Sequence, residues 1–410
     1  MTLKHCLYLL AVPALATAQP LPTLVEEALR NNREILAAQK KYEAARQRPV
    51  QASALPEPTV SLGYTSSGAP FPVDGIGISP IANAGVMISQ EMPFPGKQKL
   101  RGEIAAKEAD AEFQQYLSVR LSVVARLKQT YHELHHASVA ITFTKRYQDL
   151  LQSILRISEA RYAVGRAAQQ DIFKAQTEFS IFEAQLLRYR QEQATEEIEI
   201  NALLNRPQGG HIDVPVDIAA GEMPAALEEL LAYGRTAPAL AGQQQMIQRA
   251  ELAADLARKD YYPDYTLSGG YFNQGGMPPM WQFRVDFKLP AWFWRSQRAT
   301  VNEREFNAAE ARHDYEAASV TVESRIREQY TMATTARRLA DLYEKSVIPE
   351  AKLALESSLA GYQTGAVDFV TVFSNFMNVV DNELMAHDQD MQFLVALARL
   401  EELTGMELLP

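Results

Sequence analysis

No proline falls between residues 98 and 205, so nothing but a turn at Gly165 interrupts a very long helical stretch. Within it Leu117, Leu121, Val124, Leu127, Tyr131 and Leu134 step by four and three residues. That stepping marks a coiled-coil-like seam. At 1.5 Å per residue, residues 98–161 would span roughly 95 Å. The return helix 170–204 and the next helix, 227–259, add to about the same length, roughly 100 Å. Antiparallel rods of this kind build a wall or a tube and not a compact globule.

The pattern is also written twice. Arg161-Tyr162-Ala163-Val164-Gly165 returns as Gly361-Tyr362-Gln363-Thr364-Gly365, and Leu203-Leu204-Asn205 as Leu403-Thr404-Gly405, both at an offset of 200. The hexapeptide 126–131 (RLKQTY) returns at 325–330 (RIREQY), and 59–64 (TVSLGY) at 266–271 (TLSGGY), offsets of 199 and 207. Four matches in order indicate a two-fold duplication. The first repeat, 19–210, reads as a helix 23–48, a strand pair 58–66 and 84–92, and a long helical hairpin 97–205. The second, 211–410, reads as a helix 227–260, a strand pair 264–273 and 281–289, and a hairpin 296–404. Pro349 marks a kink or join that has no counterpart in the first repeat.

In the fourth strand Trp281, Phe283, Val285, Phe287 and Leu289 alternate with Gln282, Arg284, Asp286 and Lys288. The first strand alternates Val60, Leu62 and Tyr64 with Thr59, Ser61 and Gly63, and the third follows suit. Apolar-out, polar-in segments of this length describe a transmembrane barrel with Arg284, Asp286 and Lys288 facing the lumen. An ordinary sandwich strand alternates too, but four strands beside such helices have no sandwich to join. Four strands cannot close a barrel, and an open edge in lipid leaves backbone groups unsatisfied at several kcal/mol each. The chain therefore needs copies of itself; the physics does not give their number.

Residues 1–18 open on Met1-Thr2-Leu3-Lys4-His5, a basic start, continue through the apolar run 6–16 and end in Ala16-Thr17-Ala18. This is the pattern of a secretory signal cleaved near Ala18. The single cysteine, Cys6, would leave with it, so neither disulfides nor thiolate metal sites are expected. The net charge of −10 disfavours nucleic acid and suits cations. No later stretch reaches 18 apolar residues, so no transmembrane helix is expected.

The strand-to-helix junction Ser89-Gln90-Glu91-Met92-Pro93-Phe94-Pro95-Gly96-Lys97, the paired Tyr162-x-x-Gly165 and Tyr362-x-x-Gly365 motifs, and the duplication together resemble the TolC-type outer-membrane efflux family over nearly the whole mature chain. At the second junction Pro290 is followed by the aromatic cluster Trp292-Phe293-Trp294, suited to a membrane interface. The resemblance implies a mainly α fold with a small β part: long antiparallel coiled-coil helices forming a periplasmic α-barrel, joined to a transmembrane β-barrel. It implies four strands per protomer and a trimer with twelve strands, and it implies outer-membrane lipid around the barrel. It further implies docking with a periplasmic adaptor and an inner-membrane pump, no cofactor, and a passive duct that is not an enzyme. The junction and the acidic balance point to the heavy-metal cation branch. Where many relatives carry a lipidated cysteine this chain has Gln19, so no lipid anchor is expected. The resemblance places a periplasmic gate at Tyr162, Gly165, Asp171, Tyr362, Gly365 and Asp368. In the family an Asp of the first repeat links to a Tyr and an Arg of the second. Asp171 and Tyr362 match, but Val367 stands at the Arg position, and Thr371 and Ser374 replace acids deeper in the constriction. Asp368, where the first repeat has Ala168, is either a ring carboxylate or an ordinary helix cap.

Two rival readings remain. His132-Glu133-Leu134-His135-His136 fits the zinc-peptidase helix motif, but the equivalent residues 331–335 (TMATT) carry no ligand. A polar patch on a long helix explains it better. Met277-Pro278-Pro279-Met280 is read as an exposed loop and not as a soft-metal contact. A periplasmic coiled-coil adaptor is the other alternative, but it needs one hairpin flanked by small β-domains.

Overall fold

A computed structural model describes residues 20–66, 75–215, 218 and 221–409. The expected signal segment and Gln19 lie outside these residues. The elements run α1 (Leu21–Asn31), α2 (Arg33–Ala45), α3 (Arg48–Ser53), β1 (Thr59–Thr65), β2 (Asn83–Met92), α4 (Lys97–Ala163) and α5 (Gln169–Leu203). They continue as α6 (Leu227–Thr236), α7 (Pro238–Lys259), β3 (Asp264–Asn273), β4 (Met280–Lys288) and α8 (Ser296–Leu342). A π-turn (Tyr343–Val347), α9 (Ile348–Thr364) and α10 (Phe369–Thr404) complete the chain. The protein is mostly helical with one small antiparallel sheet.

Three helical segments are more broken than their periodicity suggests, each for a local reason. Asn32 separates α1 from α2: its side-chain oxygen accepts from the N–H groups of Glu34 and Ile35, and its amide donates to the Leu203 carbonyl at 2.9 Å. Pro238 opens α7, because a proline disfavours helical geometry at the residue before it. Pro349 lies just past the π-turn. By contrast α4 is one unbroken helix of 67 residues, about 100 Å long.

The two strand pairs form a single sheet in the order β1-β2-β3-β4. Its register is Val60↔Ile88, Ile88↔Gly269 and Gly269↔Phe283, and likewise Leu62↔Val86, Val86↔Tyr271 and Tyr271↔Trp281. Because alternate residues face opposite sides, one face gathers Val60, Leu62, Val86, Ile88, Leu267, Tyr271, Trp281, Phe283, Val285 and Phe287. The other carries Ser89 and Ser268, paired at 3.0 Å, and Arg284 and Asp286, paired at 2.8 Å. Beneath the sheet Lys97 is 3% exposed and pairs with Asp264 at 2.9 Å and Asp260 at 3.1 Å. Asp264 also accepts from the Phe94 N–H at 2.7 Å, so one carboxylate fixes the turn from β2 into α4.

Contacts divide the described residues into two compact units: one of 20–36, 119–235 and 322–409, the other of 37–118 and 236–321. The second holds the sheet. Among the described residues the first holds two apolar clusters. Tyr147, Leu151, Phe182, Tyr362, Phe369 and Phe376 fill the one towards the hairpin turns; Leu230, Ile326, Phe393, Leu397 and Leu400 fill the other. A buried pair, Lys128–Glu401 at 2.8 Å, lies in the same unit, and Glu401 also accepts from the N–H groups of Leu408 and Leu409. No helix among the described residues is long and apolar enough to cross a membrane.

Candidate functional site

The two hairpin turns are built alike. Gly165 (φ 72°) and Gly365 (φ 85°) occupy the left-handed region, which a side chain makes costly. In the first turn Gly165 N–H donates to Tyr162 O and Arg166 N–H to Arg161 O. In the second Gly365 donates to Tyr362 O and Ala366 to Gly361 O. This is the six-to-one, five-to-two closure that satisfies the last carbonyls of a helix. The landmarks that repeat at 200 are thus helix terminators, as are Asn205 (φ 54°) and Gly405 (φ 71°).

Both turns line one cleft of about 660 Å³, together with Arg161, Arg166, Asp171, Tyr362, Gly365 and Asp368. The two tip tyrosines differ. Tyr162 is 44% exposed, whereas Tyr362 is 2% exposed. The Tyr362 hydroxyl lies 3.1 Å from Ser158 Oγ, and Asp171 makes no bond to it within the protomer. The Arg161 guanidinium covers the Tyr362 ring at 4.4 Å and donates to the Tyr362 carbonyl oxygen. A cation over an aromatic face gains from the ring quadrupole. Asp368 is the N-cap of α10 and accepts from the Thr371 N–H at 2.9 Å. Hydrogen bonds from the Thr371 side chain and from its backbone N–H hold the Asp368 carboxyl below the usual carboxylate range. Ala168 caps α5 with no side-chain bond.

Sequence reasoning named the acids of this cleft and missed its two arginines. The signal was there: at the 200-residue offset Arg161 stands opposite Gly361 and Arg166 opposite Ala366. Val367 also finds a reason. A Cβ at Gly361 would meet Val367 Cγ2 at 2.6 Å, so the valine packs against a bare backbone.

Arg284, Asp286 and Lys288 stand on the polar face of β4, in the unit that holds the sheet. The histidine motif lies on α4 inside the helical unit. His132 is 3% exposed and neither ring nitrogen has a hydrogen-bond partner. Burial, with help from His135 and Lys128, lowers its pKa to about 3. It lines a mainly apolar cavity of about 370 Å³ with Leu21, Phe393, Leu397 and Leu409. Among the described residues no group of three His, Cys, Asp or Glu side chains converges on a metal position.

Comparison with known proteins agrees with this architecture. The family model described as outer membrane efflux protein matches residues 24–206 and 235–406, one stretch per repeat. The chain is 22% identical to the outer membrane protein TolC of Vibrio cholerae, over 95% of this chain and 91% of that one. Among solved structures, CusC superposes with a TM-score of 0.81 at 17% identity, covering 94% of this chain and 91% of that one. The Campylobacter jejuni CmeC outer membrane channel gives 0.78 at 17%, covering 99% and 93%. With the family model matched over residues 24–206 and 235–406 and the fold shared along nearly its whole length, this chain belongs to the outer membrane efflux protein family.

Proposed function

We propose that the chain is one protomer of a passive export duct in the outer membrane of a Gram-negative cell. Three copies would join β1 of one to β4 of the next, closing a twelve-stranded barrel continuous with a helical tube in the periplasm. The single observation that carries this is the sheet. Its register gathers an apolar face, with Phe283 83% and Phe287 62% exposed, while among the described residues both edge strands lack a partner within the protomer. Such an edge in lipid is costly until it is paired.

In this reading the barrel lumen takes Arg284, Asp286 and Lys288, and the cleft between the hairpin turns is the periplasmic mouth. A periplasmic adaptor would dock there and an inner-membrane pump would supply the energy. A signal segment cleaved near Ala18 would leave Gln19 first, without a lipid anchor. The duct itself catalyses nothing. For cargo, the Met92–Lys97 junction and the acidic balance favour heavy-metal cations, while Arg161 and Arg166 in the cleft weigh the other way. We therefore assign the choice of cargo mainly to the pump.

The test is a pair of substitutions on neighbouring residues of β4. Val285→Arg puts a charge on the apolar face and should block insertion, at about 2–4 kcal/mol per protomer near mid-bilayer. Arg284→Val should insert normally and change only conductance. Equal insertion of the two would overturn the assignment of faces.

A further inference from the structure

The cavity beside His132 has no part in the duct reading, and its walls lie within one compact unit. Tyr131 and His132 of α4, Phe393 and Leu397 of α10 and Leu409 beyond it are buried in the wall. Glu222 is exposed and marks the mouth. At about 370 Å³ the space exceeds the roughly 150 Å³ that admits benzene, so about two fused rings fit.

His132 gives this apolar space its one chemical handle at the wall. It is 3% exposed and, among the described residues, neither ring nitrogen has a hydrogen-bond partner. A buried group whose hydrogen bonds go unmade keeps its full desolvation cost. The equivalent residue at the 199-residue offset, Thr331, is exposed and donates to the Arg327 carbonyl of its own helix. Nothing in the recurring pattern therefore requires an imidazole at the inward position.

The neighbouring charges settle the kind of guest. Lys128, one turn earlier, pairs with Glu401 at 2.8 Å and donates to the Leu409 carbonyl at 3.0 Å. Glu401 in turn accepts from the N–H groups of Leu408 and Leu409. Each is committed to the other, so neither is left to receive an ionic group. Burial holds the imidazole neutral, and a neutral imidazole offers one N–H and one bare nitrogen. A hydroxyl can answer either. The Tyr131 ring stands at 82° to the imidazole with centroids 5.8 Å apart, and with Phe393 it offers aromatic surface to which flat rings pack edge to face.

We propose that this cavity binds one neutral aromatic molecule of about two rings, with a hydroxyl bonded to a ring nitrogen of His132 and its rings against Phe393 and Leu397. The site stands on the helical unit alone and holds whether or not the sheet forms a barrel.

Equilibrium dialysis of the full-length purified protein, against the same detergent without protein, tests it. The probes are β-naphthol and naphthalene, its match without the hydroxyl; with detergent matched across the membrane, only the excess on the protein side counts. β-Naphthol should saturate at one molecule per protomer, and naphthalene should bind about tenfold more weakly, the worth of one buried hydrogen bond. His132→Phe, which keeps a ring of similar size, should weaken β-naphthol about tenfold and leave naphthalene unchanged. Leu397→Trp fills the cavity and should abolish binding of both. The comparison of the two probes on the parent protein stands even if a variant folds poorly. No excess of β-naphthol, equal affinity for the two probes, equal loss of both in His132→Phe, or full binding in a folded Leu397→Trp would each overturn the site. None of these outcomes bears on whether the sheet inserts in lipid.

Discussion

His132 is the plainest case of a residue whose chemistry is set by its surroundings and not by its motif. Two buried ring nitrogens without partners hold the imidazole neutral, because charging it there costs desolvation that nothing offsets. Its folded pKa of about 3 lies below the ordinary value of about 6.5. The unfolded chain therefore binds this proton more readily, and stability falls as pH drops below about 6.5. The slope should approach 1.4 kcal/mol per pH unit until the folded value is reached. His132→Phe should remove that part of the slope while matching the parent near pH 7.5; denaturant unfolding in detergent at several pH values reads it. A parent-like slope in the variant would place the acid sensitivity elsewhere. The motif spelling was legible in the sequence and its burial was not, since inward or outward rotation of α4 depends on the helices packed around it.

At the same scale Asp368 carries two readings. As an N-cap it satisfies the Thr371 N–H, and as an exposed carboxylate repeated in three protomers it would also focus charge at the mouth. Asp368→Ala should lower cation selectivity in bilayer recordings, while Asp368→Asn, which keeps a capping oxygen, should lower it as much. An unchanged reversal potential in both would leave the cap as its whole role.

Among elements, the strands and the long helices were the most legible because their signals are long. Nine residues of strict alternation in β4, or a heptad-like seam along α4, outweigh any single exception. The breaks were harder to read. Asn32 interrupts a helix by bonding to Leu203, 171 residues away, and no local propensity reports such a partner. Joining of the two strand pairs into one sheet likewise depends on β2 meeting β3 across the whole of α4 and α5. The junction under the sheet offers a test of an element boundary. Asp264→Asn would leave buried Lys97 with Asp260 as its one carboxylate, beside the Tyr262 carbonyl, and weaken the clamp on the Phe94 turn. With Asp260 still facing the ammonium, the loss is that of one charged hydrogen bond, about 1.5–3 kcal/mol. The loss should appear as a lower melting temperature with β-strand content lost first; strand and helix signals falling together would mean the clamp is not local.

For the whole molecule, four spaced matches suggest a duplication, and the family model matches residues 24–206 and 235–406. The compact units cut across the repeats, which sequence spacing could not convey because each unit depends on helices returning from the other repeat. The arginines of the cleft lay equally in plain sight, and only their asymmetry at the 200-residue offset set them apart. What the chain alone cannot express is a partner count, since one protomer supplies two unpaired edges and no closure angle. The mass of the protein extracted from outer membranes in mild detergent, measured by native mass spectrometry, tests the central claim most directly. The expected result is a stable species of three protomers that resists dilution. A well-behaved monomer with its full strand content would contradict the account.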